Sequence, residues 1–165
     1  MGSGSRAAAG GAELARDTLE TLQAATRVLA GVALRSVDVL DGAVTLPQFR
    51  MLAVLADLGR ARSVQVARAL GLEASTVTRL ADRMVAAGYV SRGGEQGHRG
   101  VVTLELTASG KDLVDQVAAW REQELARILR QLTPTGQVQV TRALRQLVEA
   151  AGEGYGTISR GLVPV

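Results

Sequence analysis

ASTVTRLADRM, residues 74–84, is the stretch whose reading decides the fold. Ala74, Val77, Leu80, Ala81 and Met84 are small or apolar at spacings of three and four, the pattern of one buried helix face. The opposite face carries Ser75, Thr76, Thr78, Arg79, Asp82 and Arg83. Hydroxyls and guanidiniums are costly to bury and are more than solubility requires. The two sides of this helix therefore serve different purposes, and its neighbours indicate what the polar side is for.

Upstream, Ser63 is suited to cap a short helix, Val64 to Leu70, that stops at Gly71. The quoted helix starts two or three residues later, runs to about Ala87, and Gly88 stops it. Two helices joined by a Gly-containing turn form a helix-turn-helix, whose second helix enters the DNA major groove with its N-terminal half. Downstream, Tyr89-Val90-Ser91-Arg92 reads as a short strand. The segment from Gly93 to Gly100, GGEQGHRG, reads as a flexible tip, and Val101 to Leu106 as the returning strand. A hairpin in that position is a wing, with His98-Arg99 at its basic tip.

The outer segments are helical. Leu14, Leu22, Ala25, Leu29, Val32 and Val39 make an apolar stripe over Ala12 to Leu40, broken by Asp41 to Val44. Thr45 with Pro47 opens the next helix, with Phe49, Leu52, Ala53, Leu55 and Ala56 as its buried face and Gly59 as its stop. Thr107 caps a long helix, Ala108 to Leu129, carrying Leu113, Val117, Trp120, Leu125 and Ile128. Thr133-Pro134 opens the last, whose Val140, Leu144, Leu147 and Ala151 are spaced as a helix-pairing seam. The expected organisation is a tail (1–11), a first dimerisation helix (12–44), a winged helix-turn-helix (45–106), C-terminal dimerisation helices (107–151) and a loose tail (152–165). The fold class is mainly α with a small β-hairpin wing.

Composition narrows the functions. The chain of 165 residues is 47% hydrophobic but only 2% aromatic, a balance suited to packed helices. It has no cysteine, which excludes disulfides and thiolate chemistry, and one histidine, His98, too few for a His-built metal site. No cofactor is expected. No apolar run approaches the ~18 residues of a membrane span, and MGSGSRAAAGG has no signal-peptide core, so the expected location is cytoplasmic. Residues 60–99 hold seven Arg and three acids, net +4, in a chain of net +3. The basic character sits around the quoted helix and suits a polyanion. An enzyme lacks support, with no glycine-rich phosphate loop after a strand and no triad partner for His98.

From about Leu46 to Leu113 the chain resembles the MarR family of multiple-antibiotic-resistance-type winged-helix regulators. LPQFRMLAVLADLG is similar to the family's second helix, SVQVARALGLEASTVTRLADRMVAAGYVSR to its helix-turn-helix and wing entry, and LELTASGKDLV to the wing's end. The family's Leu-Thr-x-x-Gly stands here as Leu106, Thr107 and Gly110. The wing departs from the pattern: the usual Asp is His98, a second Arg is Gly100, and Arg99 keeps the groove-reaching arginine.

The resemblance implies a homodimeric regulator, a repressor in the commoner case, bound to a pseudo-palindromic operator in double-stranded DNA. Ser75 and Thr76, near the helix start, and Thr78 would meet DNA, Arg79 a guanine edge, and Arg83 a phosphate or a neighbouring side chain, the alternative being a solvated helix face. Ser63, first a helix cap, would secondarily contact a phosphate; Arg60 and Arg62 would touch the DNA backbone or be plain surface; Arg99 would enter the minor groove, or be a mobile surface residue, with His98 beside it. Asp82 would pair with Arg79 or with a wing arginine. The resemblance also implies a small-molecule effector between the dimer helices and the winged helix, near Arg35, Phe49, Met51 and Trp120. Phe49 and Met51 read as core ahead of ligand box. The competing reading is a winged helix used only for protein contact, separable because DNA binding weakens steeply with salt.

Overall fold

The computed structural model describes residues 4–95 and 98–152. The elements in chain order are α1 (Gly4–Asp38), α2 (Leu46–Leu58), β1 (Ala61–Arg62), α3 (Ser63–Leu70), α4 (Ala74–Ala86), β2 (Val90–Glu95), β3 (His98–Leu106), α5 (Ala108–Leu129) and α6 (Pro134–Ala151). The short strands form one antiparallel sheet of order β1-β3-β2.

The centre of the molecule is α2. Five consecutive residues, Met51 to Leu55, are each 0–1% exposed, so the middle of this helix is covered on all sides. It packs against α3, α4, α5 and β3. Around it close Val66 and Leu70 from α3, Val77, Leu80 and Met84 from α4, Leu104 from β3, and Val114 and Val117 from α5. Each large apolar side chain so buried contributes about 1.5–3 kcal/mol. Thr45 and Pro47 start α2 as expected: Gln48 Oε1 accepts from the Thr45 backbone N–H at 2.7 Å and from its hydroxyl at 3.0 Å.

Glycine ends the two helices of the reading head. Gly71, at φ 65°, stops α3, and the Leu72 N–H reaches back to the Ala67 carbonyl at 3.0 Å. Gly88, at φ 80°, follows α4, and Tyr89 N–H bonds the Met84 carbonyl at 2.9 Å. Both are left-handed turns that favour glycine.

Several boundaries differ from the sequence expectation. Residues 4–11, assigned to a tail, are the first turns of α1; Ala7, Ala8 and Ala9 are strong helix formers. Residues 1–3 and the C-terminal tail from 153 lie outside the described residues. The expected flexible segment Gly93–Gly100 is largely strand, since β2 runs to Glu95 and β3 starts at His98. The ladder supports the glycines there: Gly93 pairs with Thr103 and Gly94 with Val102. Strand β1 was not foreseen; two residues give no periodicity, and pairing with Thr103 and Leu104 creates it. Ser63 is not the cap of α3 but its first residue. Arg62 holds the cap position, and its N–H bonds Gln65 Oε1 at 2.8 Å. Ala74, read as part of the apolar face, is exposed at the start of α4.

Candidate nucleic-acid interface

Val77, Leu80, Ala81 and Met84 anchor α4 in the core. That burial turns Ser75, Thr78, Arg79 and Arg83 outward, all exposed, with Thr76 half-buried beside them. The first turn of α4 has no side-chain cap: Glu73 stands at the cap position without a side-chain hydrogen bond. Its leading N–H groups therefore remain available to an anion, where the helix dipole is positive. The Thr78 hydroxyl donates to the Ala74 carbonyl at 3.0 Å, which fixes its rotamer and leaves its oxygen able to accept. Arg79 and Arg83 have no ion pair or hydrogen-bonded side-chain partner among the described residues.

The remaining charge on this helix is used internally. Asp82 pairs with Arg92 of β2 at 2.6 Å, which settles its partner as a wing arginine rather than Arg79. The pair ties the wing to the helix it follows. Both side chains are substantially exposed, so its stabilisation is modest and screened by salt.

The Leu-Thr-x-x-Gly segment locks the other end of the wing. The Thr107 hydroxyl donates to the Gly88 carbonyl at 2.7 Å and accepts from the Gly110 N–H at 3.1 Å, while Thr107 N–H bonds Tyr89 O at 3.1 Å. Gly110 packs so closely that a Cβ there would collide with the Tyr89 carbonyl. One residue thus caps α5 and seats it on the turn that leaves α4.

The other expected site residues scatter. Ser63 is half-buried at the start of α3. His98 and Arg99 have strand backbone in β3, but their side chains lie outside the described residues. Phe49 and Met51, 1% and 0% exposed, are core. Arg35 is exposed and lines a cleft of about 340 Å³ with Leu34, Val37, Asp38, Gly42, Val44 and Leu46. Trp120 is half-buried on α5 and is not among those lining residues. The four residues expected around one effector are therefore not gathered in this cleft.

Two arginines take places not expected from the sequence: Arg60, expected near the DNA backbone, bonds into the wing, and Arg121 is buried. Arg60 crosses the base of the wing, its Nε bonding Thr103 Oγ1 at 3.1 Å. Arg121 is 6% exposed, donating from Nη2 to Ser36 Oγ at 2.8 Å, while Nε and Nη1 have no partner among the described residues. Burial pushes its pKa down from the usual guanidinium value. The signal for Arg121 was available: with Val114 and Val117 it stands on one helical face at intervals of three and four. The described residues hold no group of His, Cys, Asp or Glu able to bind a metal ion. No helix among them is long and apolar enough to cross a membrane.

Known proteins agree with this geometry. Residues 44–99 match the model of the MarR family. The HTH-type transcriptional repressor MdtR of Bacillus subtilis (strain 168) is 31% identical over 108 residues, 66% of this chain and 70% of that protein. Among solved structures, RV1404 from Mycobacterium tuberculosis superposes with a TM-score of 0.76 at 34% identity, covering 82% of this chain and 92% of its own. YusO from Bacillus subtilis gives 0.70 at 28% identity, covering 84% and 96%. Family model, relative and fold coincide on the helix-turn-helix and its wing: the chain belongs to the MarR family of winged-helix transcriptional regulators and is not an enzyme.

Proposed function

We propose that this protein is a cytoplasmic repressor that binds double-stranded DNA sequence-specifically as a homodimer on a pseudo-palindromic operator, under the control of a small-molecule effector. The observation that carries the reading is the outer face of α4, where Ser75, Thr78, Arg79 and Arg83 are exposed above a fully anchored inner face. Arg79 stands within the first two turns, where a recognition helix meets base edges, and a forked guanidinium there suits a guanine. Arg83, one turn on, takes a phosphate.

The homodimer is supported by apolar surface that one chain leaves uncovered. Helix α6 has no buried residue, and Val138, Val140, Leu144, Leu147 and Val148 are 36–70% exposed. On α1, Leu19, Leu22, Val28 and Leu29 are 38–60% exposed. Exposed apolar area of that extent marks an interface. A second copy would also place two α4 helices for half-sites about one DNA turn apart. Repression follows the similarity to MdtR. Effector control is supported by the cleft at the junction of α1 and α2.

Fluorescence anisotropy on the duplex upstream of the protein's own gene, with excess random-sequence competitor, tests the reading. Arg79→Ala is expected to weaken operator binding by roughly tenfold to a hundredfold, the ~1–3 kcal/mol of one bidentate base contact. Its melting temperature should stay that of the native chain. Absence of duplex binding at low salt would leave a protein-contact module.

A further inference from the structure

We propose that Arg60 is a positioning residue that clamps the wing in its reading orientation, a role that rests on the wing being a DNA contact. Gly59, at φ 64°, turns the chain out of α2 and delivers Arg60 to the start of β1. From there its side chain lies across the sheet. Nε donates to Thr103 Oγ1 on β3 at 3.1 Å and Nη2 to the Gly94 carbonyl on β2 at 2.6 Å. One guanidinium thus joins both strands of the wing to the chain segment leaving α2. Its planar fork can bond two acceptors at once with charge-assisted hydrogen bonds, which an ammonium on a flexible stem does poorly.

The wing is shaped to receive it. Thr103 is 6% exposed, directly opposite Gly93 in the ladder. A Cβ on Gly93 would stand 2.7 Å from Arg60 Nη2 and 3.2 Å from Thr103 Oγ1. Glycine at this position therefore leaves the space that the guanidinium fills. Two successive glycines, Gly93 and Gly94, also leave β2 without side chains to stiffen it just where it projects from the body. The ladder shifts register between Gly94 and Glu95, so pairing alone holds the outer wing weakly. Arg60 fixes the last regular part of the strand pair from one side, and the Asp82–Arg92 pair ties the strand base to α4 from the other.

Amide hydrogen exchange on the DNA-free full chain is the first arm of the test. In Arg60→Ala, exchange at Gly94, Val102 and Thr103 should speed up by roughly tenfold or more, the effect of losing two hydrogen bonds to charge. Amides of α4 and α5 should be unchanged. Arg60→Lys should restore protection only in part. In the second arm, operator binding is measured for Arg60→Ala, Arg99→Ala and the double variant. A misplaced wing makes the costs of the two substitutions less than additive. Faster wing exchange with unaltered DNA affinity would uphold the clamp and overturn the reading of the wing as a DNA contact. Unchanged wing exchange in Arg60→Ala would overturn the proposal. If it came with additive costs and a salt slope reduced by about one, Arg60 would be a phosphate contact instead.

Discussion

At the scale of the residue, two positions state their roles by what surrounds them. Gly110 is glycine because the Tyr89 carbonyl occupies the place of its Cβ. Gly110→Ala must push apart α5 and the turn after α4, both rigid backbone. We expect a loss of about 2 kcal/mol or more, read as a lower denaturant midpoint with an unchanged slope. Arg121 presents the opposite case. Its guanidinium is a buried charge, since arginine stays protonated in proteins. Two of its nitrogens, Nε and Nη1, are buried without partners among the described residues. Its hydrogen-bond partner, Ser36, does not depend on it, since the Ser36 hydroxyl already donates to the Ala33 carbonyl at 2.7 Å. Arg121→Met should leave the melting temperature unchanged or raise it. A fall of several degrees would show that the guanidinium has a partner that one protomer does not supply.

At the scale of the element, the wing is held by side chains from three places: Arg60 before β1, Asp82 on α4 and Thr107 at the start of α5. Thr107→Val keeps the shape of the side chain and removes both of its hydrogen bonds. It should cost about 1–2 kcal/mol, measured by thermal or denaturant unfolding. The sequence showed Thr107 as a cap because capping is local, between Thr107 and Gly110. It did not show the bond to Gly88, nineteen residues away. Similarly, the helix ends at Gly59, Gly71 and Gly88 were legible from glycine alone, whereas the place of Arg60 depends on strands that begin thirty residues later. Ser63 marks the limit of local reading. A serine before an apolar run suits a cap, yet pairing of Arg62 with Thr103 draws the chain extended through Arg62 and moves the cap there.

At the scale of the whole molecule, α6 is a helix without a core. Replacing Leu144 and Leu147 together by Glu puts two charges on its apolar face. Because both residues are substantially exposed in one chain, 42% and 46%, the protomer's own fold should be retained. Sedimentation should show the double variant as a monomer, and its affinity for a two-fold operator should fall by tenfold or more. An unchanged dimer would place the interface elsewhere.

The sequence by itself determined the helices, their stops, the helix-turn-helix and the polar outer face of α4. These follow from periodicity of three and four, from capping residues and from glycine, all of which act within a few positions along the chain. Tertiary structure decided which arginines face outward. Arg79 and Arg83 are exposed without an ion pair among the described residues, Arg92 is paired to Asp82, Arg60 spans the wing and Arg121 is buried beside Ser36. It also decided that Phe49 and Met51 are core, because the middle of α2 is enclosed by α3, α4, α5 and β3. A guanidinium is alike in sequence wherever it stands. Its role is set by the acceptors that reach it, and these come from strands and helices distant in the chain, brought near only when the apolar faces close.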